Sequence, residues 1–429
     1  MSKFLNIHML NIHSLILALF PLFFISGPFL PDLFCSYFAL YFLYHLIKNK
    51  EYHLINNYYF YFFLIIYFYL NLNSLNSFDP SISFQTSIVF IRIILFIFFI
   101  SFIVKKNPII LKYFYFIFLL GLSFLLFDSL IQFFFNINII GQKIITSPRI
   151  SSFFEDELIM GSYVSRMLPL IIGLSYIIDL KKKNLLNCIL LLMSFVLVIF
   201  SNERLAFFYI LLFIISYFLI NKKFLLTFIA LSGIFLITIV SMKPNSLDRL
   251  ILHTIFQSKQ TNTHLSYRHV LHIKTAYEMF LDKKILGHGL KSFRYLCSNE
   301  KYTSSIQNKL KKDFFNEEYK KVYKMYKNGC NTHPHSIYLQ FLAEIGIVGF
   351  FLFLIFFIYL TKQLILLFYK IVIKKNVNKL IYARYFILVG LFSSMIPMLP
   401  SGNYFNNWLL IITYLPIGFY LSTFKKEND

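Results

Sequence analysis

The sequence predicts an all-α integral membrane protein with about twelve transmembrane helices and one large loop outside the membrane. Of its 429 residues, 58% are hydrophobic and only 14% are charged, and the mean hydropathy is +0.66. A helix needs about 20 apolar residues to cross the roughly 30 Å hydrocarbon layer, and runs of that length recur along the chain. The connections between the runs alternate in lysine content. This composition excludes a soluble globular domain.

Twelve apolar segments can be marked, and each is long enough for one helical crossing. No internal repeat or low-complexity tract relates one segment to another. The predicted segments are 12–28, 31–47, 55–72, 85–104, 109–135, 158–179, 184–201, 204–220, 223–241, 336–361, 379–397 and 404–423.

The short connections on the two sides of the membrane differ in charge. Connections on one side are rich in lysine, whereas those on the other side contain neither Lys nor Arg. Because short basic loops stay in the cytoplasm, both termini are predicted to be cytoplasmic. The lysine-rich connections are 48–53, 105–108, 181–183, 221–223, 374–379 and the C-terminal KKEND, and the others are 27–32, 73–83 and 398–403.

One connection is long enough to hold structure of its own. Residues 242–335 contain 17 Lys and Arg against 7 Asp and Glu, and seven of the eleven histidines. Long loops cross the membrane largely regardless of charge, so this loop is predicted to lie outside. The chain then divides into 1–241 with nine helices, the loop 242–335, and 336–429 with three helices and the C-terminus.

The formal net charge of +22 has a simple origin in part. Much of it is the lysine excess of the short cytoplasmic connections, which orients the protein in the membrane. We therefore expect no nucleic-acid partner. Within the large loop, the stretch LSYRHVLHIKTAYEMFLDKK reads as an amphipathic helix. Leu271, Ala276 and Phe280 lie broadly on one face of it.

The end of the large loop combines histidine with proline in NTHPHSIYLQFLAEIGIVGF, residues 331–350. In the predicted topology His333 and His335 lie at the outer end of the tenth segment. Pro334 favours a sharp turn into the helix, and Ser336 can cap its first turn. An imidazole in this position titrates near neutrality and can take a proton from a hydroxyl.

Three further residues of this stretch are unusual for a membrane helix. Glu344 lies more than two turns into the segment, where a carboxylate is costly and commonly faces a partner or a cavity. Gly346 and Gly349 are spaced by about one turn, which would allow another helix to approach closely. The stretch is therefore a candidate for a binding or catalytic site.

The four cysteines fall in two environments. Cys35 and Cys188 lie in membrane segments and are read as small apolar side chains. Cys297 and Cys330 share the large loop, where an oxidising compartment would permit a disulfide. Whether the second pair is bonded is left open by the sequence.

The stretch HSIYLQFLAEIGIVG, which runs from His335 through Gly346 to Gly349, resembles the signature of the O-antigen ligase and O-antigen polymerase superfamily. Three upstream stretches are similar to that family in the same order. They are RISSFFEDELIMGSYV (149–164), SNERLAFF (201–208) and SYRHVLHIKTAYEMFLDKKILGHGLKSF (266–293), the last with an Arg, a helix and a turn formed by Gly287 and Gly289. The resemblance covers about residues 150–360.

The resemblance implies a metal-independent glycosyltransferase of the bacterial inner membrane, with the large loop in the periplasm. It implies a polyprenyl-pyrophosphate-linked glycan as donor and a hydroxyl of lipid A-core or another glycan as acceptor, with no cofactor. We expect His335 to be the general base, with His333 as the alternative base and as a substrate-binding residue.

Cations are expected to bind the departing pyrophosphate, because a guanidinium stays charged and grips phosphate with two parallel donors. Arg204 and Arg268 are the catalytic candidates, and Arg149 and Glu344 are assigned to substrate binding. Metal binding is the competing interpretation for the histidines, since His269 and His272 are spaced i, i+3. No Cys or carboxylate completes a recognisable ligand set around them, so no metal is expected.

The sequence leaves other functions open. A polymerase of the same superfamily joins repeat units on the carrier, a transporter would move lipid-linked oligosaccharides, and a receptor would hold anionic polysaccharide on the basic loop. Ionisable groups inside membranes are functional candidates. For Asp128 we favour a structural pairing with Arg92 or Arg166 that holds the bundle together.

Overall fold

A computed structural model describes residues 12–145, 148–178, 180–250, 267–302, 329–375, 378–397 and 399–424. The residues predicted to be cytoplasmic at the termini, 1–11 and 425–429, and the stretches 251–266 and 303–328 of the large loop lie outside the described residues. Within the described residues the protein is helical, and a single bridge between Ile137 and Lys143 is its strand-like pairing. The predicted all-α class is confirmed.

The helices follow the apolar segments of the sequence. Leu19 separates the first predicted segment into two short helices, and Pro21 stands in the first turn of the second. The helices are α1 Ile12–Ala18, α2 Phe20–Ile25, α3 Phe29–Asn49, α4 Tyr58–Leu75, α5 Pro80–Ser87, α6 Ile91–Lys106, α7 Ile110–Phe135, α8 Met160–Ile177, α9 Lys183–Ser201, α10 Arg204–Ile220, α11 Leu225–Met242, α12 Tyr267–Asp282, α13 Phe293–Leu296, α14 Ile337–Val372, α15 Lys379–Ser394 and α16 Asn407–Ser422.

Six helical stretches among the described residues are long and apolar enough to cross a membrane. Shorter apolar helices accompany them at Arg204–Ile220 and Asn407–Ser422. The protein is therefore a multi-pass α-helical membrane protein, and the count of twelve crossings stays a prediction. The six stretches are Phe29–Asn49, Pro80–Lys106, Ile110–Phe135, Lys183–Ser201, Leu225–Met242 and Ile337–Val372.

The centre of the bundle is the contact between α8 and α15. Nearly every residue of α8 is buried, although this helix contains Pro169. Gly390 lies against the proline ring, since a Cβ at that glycine would come within 2.7 Å of the Pro169 Cβ. Gly173 lies against Ala383 in the same way, with 2.9 Å to the carbonyl oxygen. Small residues thus let the two backbones approach closely.

Arg92 is held inside the bundle by a carboxylate of a neighbouring helix. Its guanidinium lies 2.6 Å from Oδ1 of Asp32 and donates to Oδ2 at 3.1 Å and to Ser36 Oγ at 2.8 Å. Buried charges persist in apolar surroundings when they are paired and hydrogen-bonded. Arg92 therefore joins α3 to α6, which is a structural role.

The prediction that Asp128 pairs with Arg92 or Arg166 is wrong. The Asp128 carboxylate accepts from the backbone N–H of Ile139 at 2.8 Å and from the hydroxyl of Ser152. It lies near the end of α7, where the chain turns into the loop 136–159, so backbone donors reach it first. Arg166 bonds to Ser162 of its own helix and lies over the ring of Tyr209, 5.2 Å from the centroid.

The longest helix, α14, is broken near its start. It continues to Val372, beyond the predicted end at 361, because the following turns bury Leu367 and Ile371. Inside it Gly346 has φ 64° and ψ −172°, a conformation that is essentially restricted to glycine. The predicted approach of another helix at Gly346 and Gly349 is wrong for Gly346, which breaks the helix.

The turn 284–289 of the large loop fills the break. A break in a membrane helix exposes backbone groups that must find partners in the protein. A Cβ at Gly287 would come within 2.6 Å of the Glu344 carbonyl carbon, so the two backbones touch. The bonds are His288 N–H to Ala343 O at 3.0 Å, Gly289 N–H to Glu344 O at 2.8 Å and Ile347 N–H to Lys284 O at 2.9 Å.

Gly346→Ala should destabilise the protein strongly. The left-handed backbone alone costs about 1–3 kcal/mol for an alanine, and the new Cβ would collide with the carbonyl oxygen of Ile285. We expect reduced accumulation in membranes and a lower thermal midpoint in detergent. Gly233→Ala is the matched control, because this helical glycine has no neighbour within 4 Å of the added Cβ. Equal midpoints for the two variants would contradict this account of the break.

Candidate active site

The His-Pro-His stretch lies at the end of the bundle that carries the large loop, hereafter the loop end. His335 has a left-handed backbone with φ 54°, which is uncommon outside glycine and marks a constrained position. Ser401, in the connection between α15 and α16, holds it there. The Ser401 N–H donates to the His335 carbonyl at 3.0 Å, and Nε2 of His333 donates to the Ser401 carbonyl at 3.1 Å.

Four imidazoles meet at this point. His333 and His335 have ring centroids 4.2 Å apart, and the first turns of α12 bring His269 to 4.9 Å and His272 to 5.4 Å from the His335 ring. The amphipathic helix predicted from the sequence is present, with Leu271 buried on its inner face. We call these four residues the histidine cluster.

Two members of the histidine cluster have their tautomers set by backbone carbonyls. Nδ1 of His272 lies 2.7 Å from the Gly329 carbonyl, so this nitrogen carries the proton and donates it. For His333 the donor is Nε2, which leaves Nδ1 to accept from the Thr332 hydroxyl at 2.9 Å. His333 is therefore satisfied at both nitrogens as a neutral imidazole, whereas Nε2 of His272 is buried without a hydrogen-bond partner among the described residues.

The prediction that His333 and His335 titrate near neutrality is wrong, because burial lowers the pKa values of both imidazoles well below neutrality. Burial, together with the neighbouring histidines and Arg268, lowers the pKa of His335 to about 2. Burial is also the main reason that the pKa values of His269 and His333 fall to about 4. Burial disfavours the charged form of an imidazole. At neutral pH the rings are neutral, and each keeps one nitrogen that can accept a proton.

The histidine cluster lacks the geometry of a metal site. Across the part of the chain that the structure describes, no group of three or more His, Cys, Asp or Glu side chains could hold a metal ion. One ring nitrogen of His272 and one of His333 are instead engaged by the carbonyls of Gly329 and Ser401.

Three arginines form a second group at the loop end, hereafter the arginine cluster. Arg149 donates from Nη2 to the Leu158 carbonyl at 2.8 Å and from Nε to the Ser201 carbonyl at 3.3 Å. Arg204, the first residue of α10, donates from Nε to the Arg249 carbonyl at 3.1 Å. Arg249 is the third member. Backbone carbonyls thus hold the guanidiniums of Arg149 and Arg204 near the tight turn between α9 and α10.

A half-buried carboxylate lies among these cations. Glu203 accepts from the backbone N–H groups of Gly161 at 2.7 Å and Ser162 at 3.3 Å, which places it at the N-terminus of α8, where negative charge is favourable. Burial and the charge of Arg249 lower the pKa of Arg149 to about 10, and Glu203 offsets only part of this. Mutual repulsion among guanidiniums favours binding of a further anion.

The two clusters adjoin each other. The charge of Arg204 contributes to lowering the pKa of His269, and the charge of Arg268 contributes to lowering the pKa of His335. Arg268 stands exposed at the start of α12, beside the imidazoles. The structure therefore brings together His333, His335, Arg204 and Arg268, which are four of the predicted site residues. Arg149 lies beside the turn that precedes Arg204.

Glu344 is buried and fastens the loop to the broken helix. Its carboxylate accepts from the Phe293 N–H at 3.3 Å and from Gln340 Nε2 at 3.0 Å. Gln340 extends the network to the connection before α16, where it donates to Asn403 at 2.7 Å and accepts from the Tyr404 N–H at 3.0 Å. These contacts link Glu344 to α13 and to the connection before α16.

The structure corrects one local prediction and completes another. Ser336 occupies the cap position of α14, but its side chain makes no capping hydrogen bond, so the predicted hydroxyl cap is wrong. The backbone of this residue instead accepts from the Gln340 N–H at 2.9 Å. Cys297 and Cys330, left open by the sequence, are joined by a disulfide, which ties α13 to the segment leading into the histidines.

The sequence interpretation missed Arg249 and Ser401. Arg249 follows the end of α11 by seven residues in the run SLDRL, and no motif distinguishes it from the other basic residues of the loop. Ser401 acts through its backbone, so its side chain gives no signal at all. The Lys-free composition of the connection 398–403 was the available hint that this segment belongs to the same side as the histidines.

The fold and the site define a multi-pass membrane protein with adjoining arginine and histidine clusters at one end of its bundle. Residues 189–354 match the family model described as O-antigen ligase. The chain therefore carries an O-antigen ligase domain over these residues, which confirms the resemblance seen in the sequence. No curated protein matches the chain.

Proposed function

We propose that this protein is an O-antigen ligase, a glycosyltransferase that moves a glycan from a polyprenyl-pyrophosphate carrier to an acceptor hydroxyl. The observation that supports this most strongly is the juxtaposition of neutral imidazoles with guanidiniums at the loop end. A transfer of this kind needs a proton acceptor for the incoming hydroxyl and cations for the departing pyrophosphate. The two clusters supply these two groups side by side.

The proposed reaction is a displacement at the anomeric carbon of the donor sugar. The acceptor oxygen forms a bond to this carbon while the bond from the carbon to the phosphate oxygen breaks, and its electron pair leaves with the pyrophosphate. His335 takes the hydroxyl proton as general base and afterwards releases it to solvent. Positioned proton transfer of this kind contributes about 10²–10⁴-fold to a rate.

The arginine cluster is proposed to hold the pyrophosphate. Arg204 and Arg249 lie at the turn after α9, and Arg268 reaches the site from α12. Cations aimed at the leaving group stabilise the charge that develops on it, and one such interaction is worth about 3–4 kcal/mol in a water-poor site. A bound pyrophosphate would also favour the protonated form of His335, which its present neighbours disfavour.

The remaining residues are proposed to shape the substrate site. Arg149, His333 and Glu344 were predicted to bind substrate, and in this proposal Arg149 backs the pyrophosphate site and His333 flanks the acceptor. Glu344 positions the turn at Gly287 and Gly289 instead of meeting the sugar, because Phe293 and Gln340 already engage its carboxylate.

The proposed location is the bacterial inner membrane, with both termini in the cytoplasm and the large loop in the periplasm. Lipid A-core or another periplasmic glycan would be the acceptor, and neither a metal nor a cofactor takes part. The transporter alternative is less favoured, because Arg92 and Asp128 are bound within the bundle to neighbouring protein groups. A polymerase would use the same site and is separated from a ligase only by its acceptor.

The test is deletion of the gene followed by gel separation of the surface polysaccharide. A ligase predicts the loss of all long-chain material on the acceptor while carrier-linked polymer accumulates. Single repeat units on the acceptor would identify a polymerase. An unchanged pattern would overturn both assignments. A reporter fused near residue 300 checks the topology, since a cytosolic signal would place the proposed site on the wrong side of the membrane.

A further inference from the structure

Asn331 contacts the proposed base directly. Its side-chain Nδ2 lies 2.9 Å from Nε2 of His335. The amide oxygen is engaged at the same time, because the Thr332 N–H donates to Oδ1 at 2.8 Å. The backbone N–H can only donate, so the oxygen end of the amide must face Thr332 and the nitrogen end must face His335.

This orientation determines the tautomer of His335. An amide NH₂ group is only a donor, so Nε2 of His335 must be the unprotonated, accepting nitrogen. The neutral ring then carries its proton on Nδ1. The carbonyls of Gly329 and Ser401 fix the tautomers of His272 and His333. The tautomer of His335 is set by the side chain of Asn331.

We propose that Asn331 is a positioning residue, which presents Nε2 of His335 as the proton acceptor and occupies with its N–H the place that the acceptor hydroxyl takes during the reaction. This inference rests on the proposed function. An amide N–H and a sugar O–H both donate one hydrogen bond to an imidazole nitrogen. The incoming hydroxyl therefore replaces the amide without any change in the tautomer of the ring.

Once the acceptor hydroxyl has replaced the Asn331 amide at Nε2 of His335, the proton can be transferred directly. The hydroxyl proton passes to Nε2, the acceptor oxygen bonds to the anomeric carbon, and the pyrophosphate leaves with the electrons of the broken bond. His335 then carries protons on both nitrogens until Nε2 loses one to solvent. Had the resting ring carried its proton on Nε2, the nitrogen beside Asn331 could not have served as a base.

Asn331→Asp tests this role with almost no change of shape. One carboxylate oxygen can still accept from Thr332, but the other now faces Nε2 and draws a proton onto it. We expect kcat at neutral pH to fall at least roughly tenfold, because the variant loses part of the rate enhancement that general-base catalysis provides. The acidic limb of kcat/KM should move to higher pH, because a carboxylate beside the ring favours the imidazolium against the influence of Arg268, His269, His272 and His333.

Asn299→Asp is the matched control on the same loop. Its amide oxygen also accepts from a backbone N–H, that of Lys301 at 3.0 Å, and the side chain is exposed. We expect wild-type kcat and an unchanged pH profile. Wild-type kinetics for Asn331→Asp would overturn the inference, as would a lower kcat with an unmoved profile, which a merely structural role would give.

A spectroscopic measurement is independent of any loss of folding in the variant. In wild-type protein labelled with ¹⁵N-histidine, with the signal of His335 assigned by its loss in His335→Asn, we expect Nε2 to be unprotonated. A signal from protonated Nε2 would overturn the inference. If His335→Asn keeps full transfer activity, the proposed base is wrong, whereas an inactive His335→Asn with an unaffected Asn331→Asp overturns only the role of Asn331.

Discussion

Replacement of His335 by alanine should abolish glycan transfer while the protein still accumulates in the membrane. The proposed base is the only imidazole of the histidine cluster, within the described residues, that is in ring contact with all three others, and loss of a general base costs about 10²–10⁴-fold. The measurement is transfer from a lipid-pyrophosphate donor to its acceptor by purified protein, with the surface polysaccharide ladder as the cellular readout.

The backbone of His335 calls for a second variant. Because φ is 54° at this residue, alanine adds a local conformational cost, whereas asparagine adopts left-handed backbone more readily. His335→Asn should fold as the wild type does and still be inactive. His53→Ala, which changes an exposed histidine outside the two clusters, should leave activity unchanged. Activity near wild type in His335→Asn would remove the general base from the mechanism.

Replacement of Arg204 by alanine should lower kcat by at least about 100-fold, the range found when one donor to a developing anion is removed. Arg204→Lys should recover only part of the loss, since an ammonium keeps the charge but cannot make two parallel bonds to phosphate. Arg268→Ala should likewise abolish transfer, because this guanidinium stands beside the imidazoles. Each variant is compared by kcat and KM for the lipid-pyrophosphate donor.

Arg384→Lys is the control for the arginine variants. Arg384 is bonded to the Thr423 hydroxyl at 2.9 Å and to the Thr423 carbonyl at 2.7 Å, and it joins α15 to the end of α16. Its replacement changes the stability of the bundle but not the binding of the donor. If Arg204→Ala turned over at the rate of Arg384→Lys, the arginine cluster would not bind the leaving group.

The helices were predictable because each depends on a sequence pattern of neighbouring residues. A membrane helix needs a continuous apolar run, and each of the twelve predicted runs contains helix in the structure. The break at Gly346 was not predictable in the same way. A glycine in an apolar run is compatible with a close helix contact, and the turn 284–289 that completes the broken helix lies far away in the sequence.

The candidate site was predictable where the residue type alone limits its chemistry. His335 and Arg204 stand at the ends of apolar segments, where imidazole and guanidinium have few structural uses. Asp128 shows the opposite case, because a carboxylate can accept equally well from many kinds of donor. In the structure it accepts from a nearby backbone N–H and a hydroxyl, and not from an arginine. Ser401 could not be found at all, since every residue except proline offers the N–H that it uses.

The contact between Ser401 and His335 has a consequence for engineering. The Ser401 backbone that holds the proposed base comes from beyond residue 354, where the family match ends. A chimera that grafts residues 189–354 onto foreign C-terminal helices would keep His335 but lose the hydrogen bond from Ser401 that holds its backbone. Swaps between relatives should therefore exchange the last two helices together with residues 189–354.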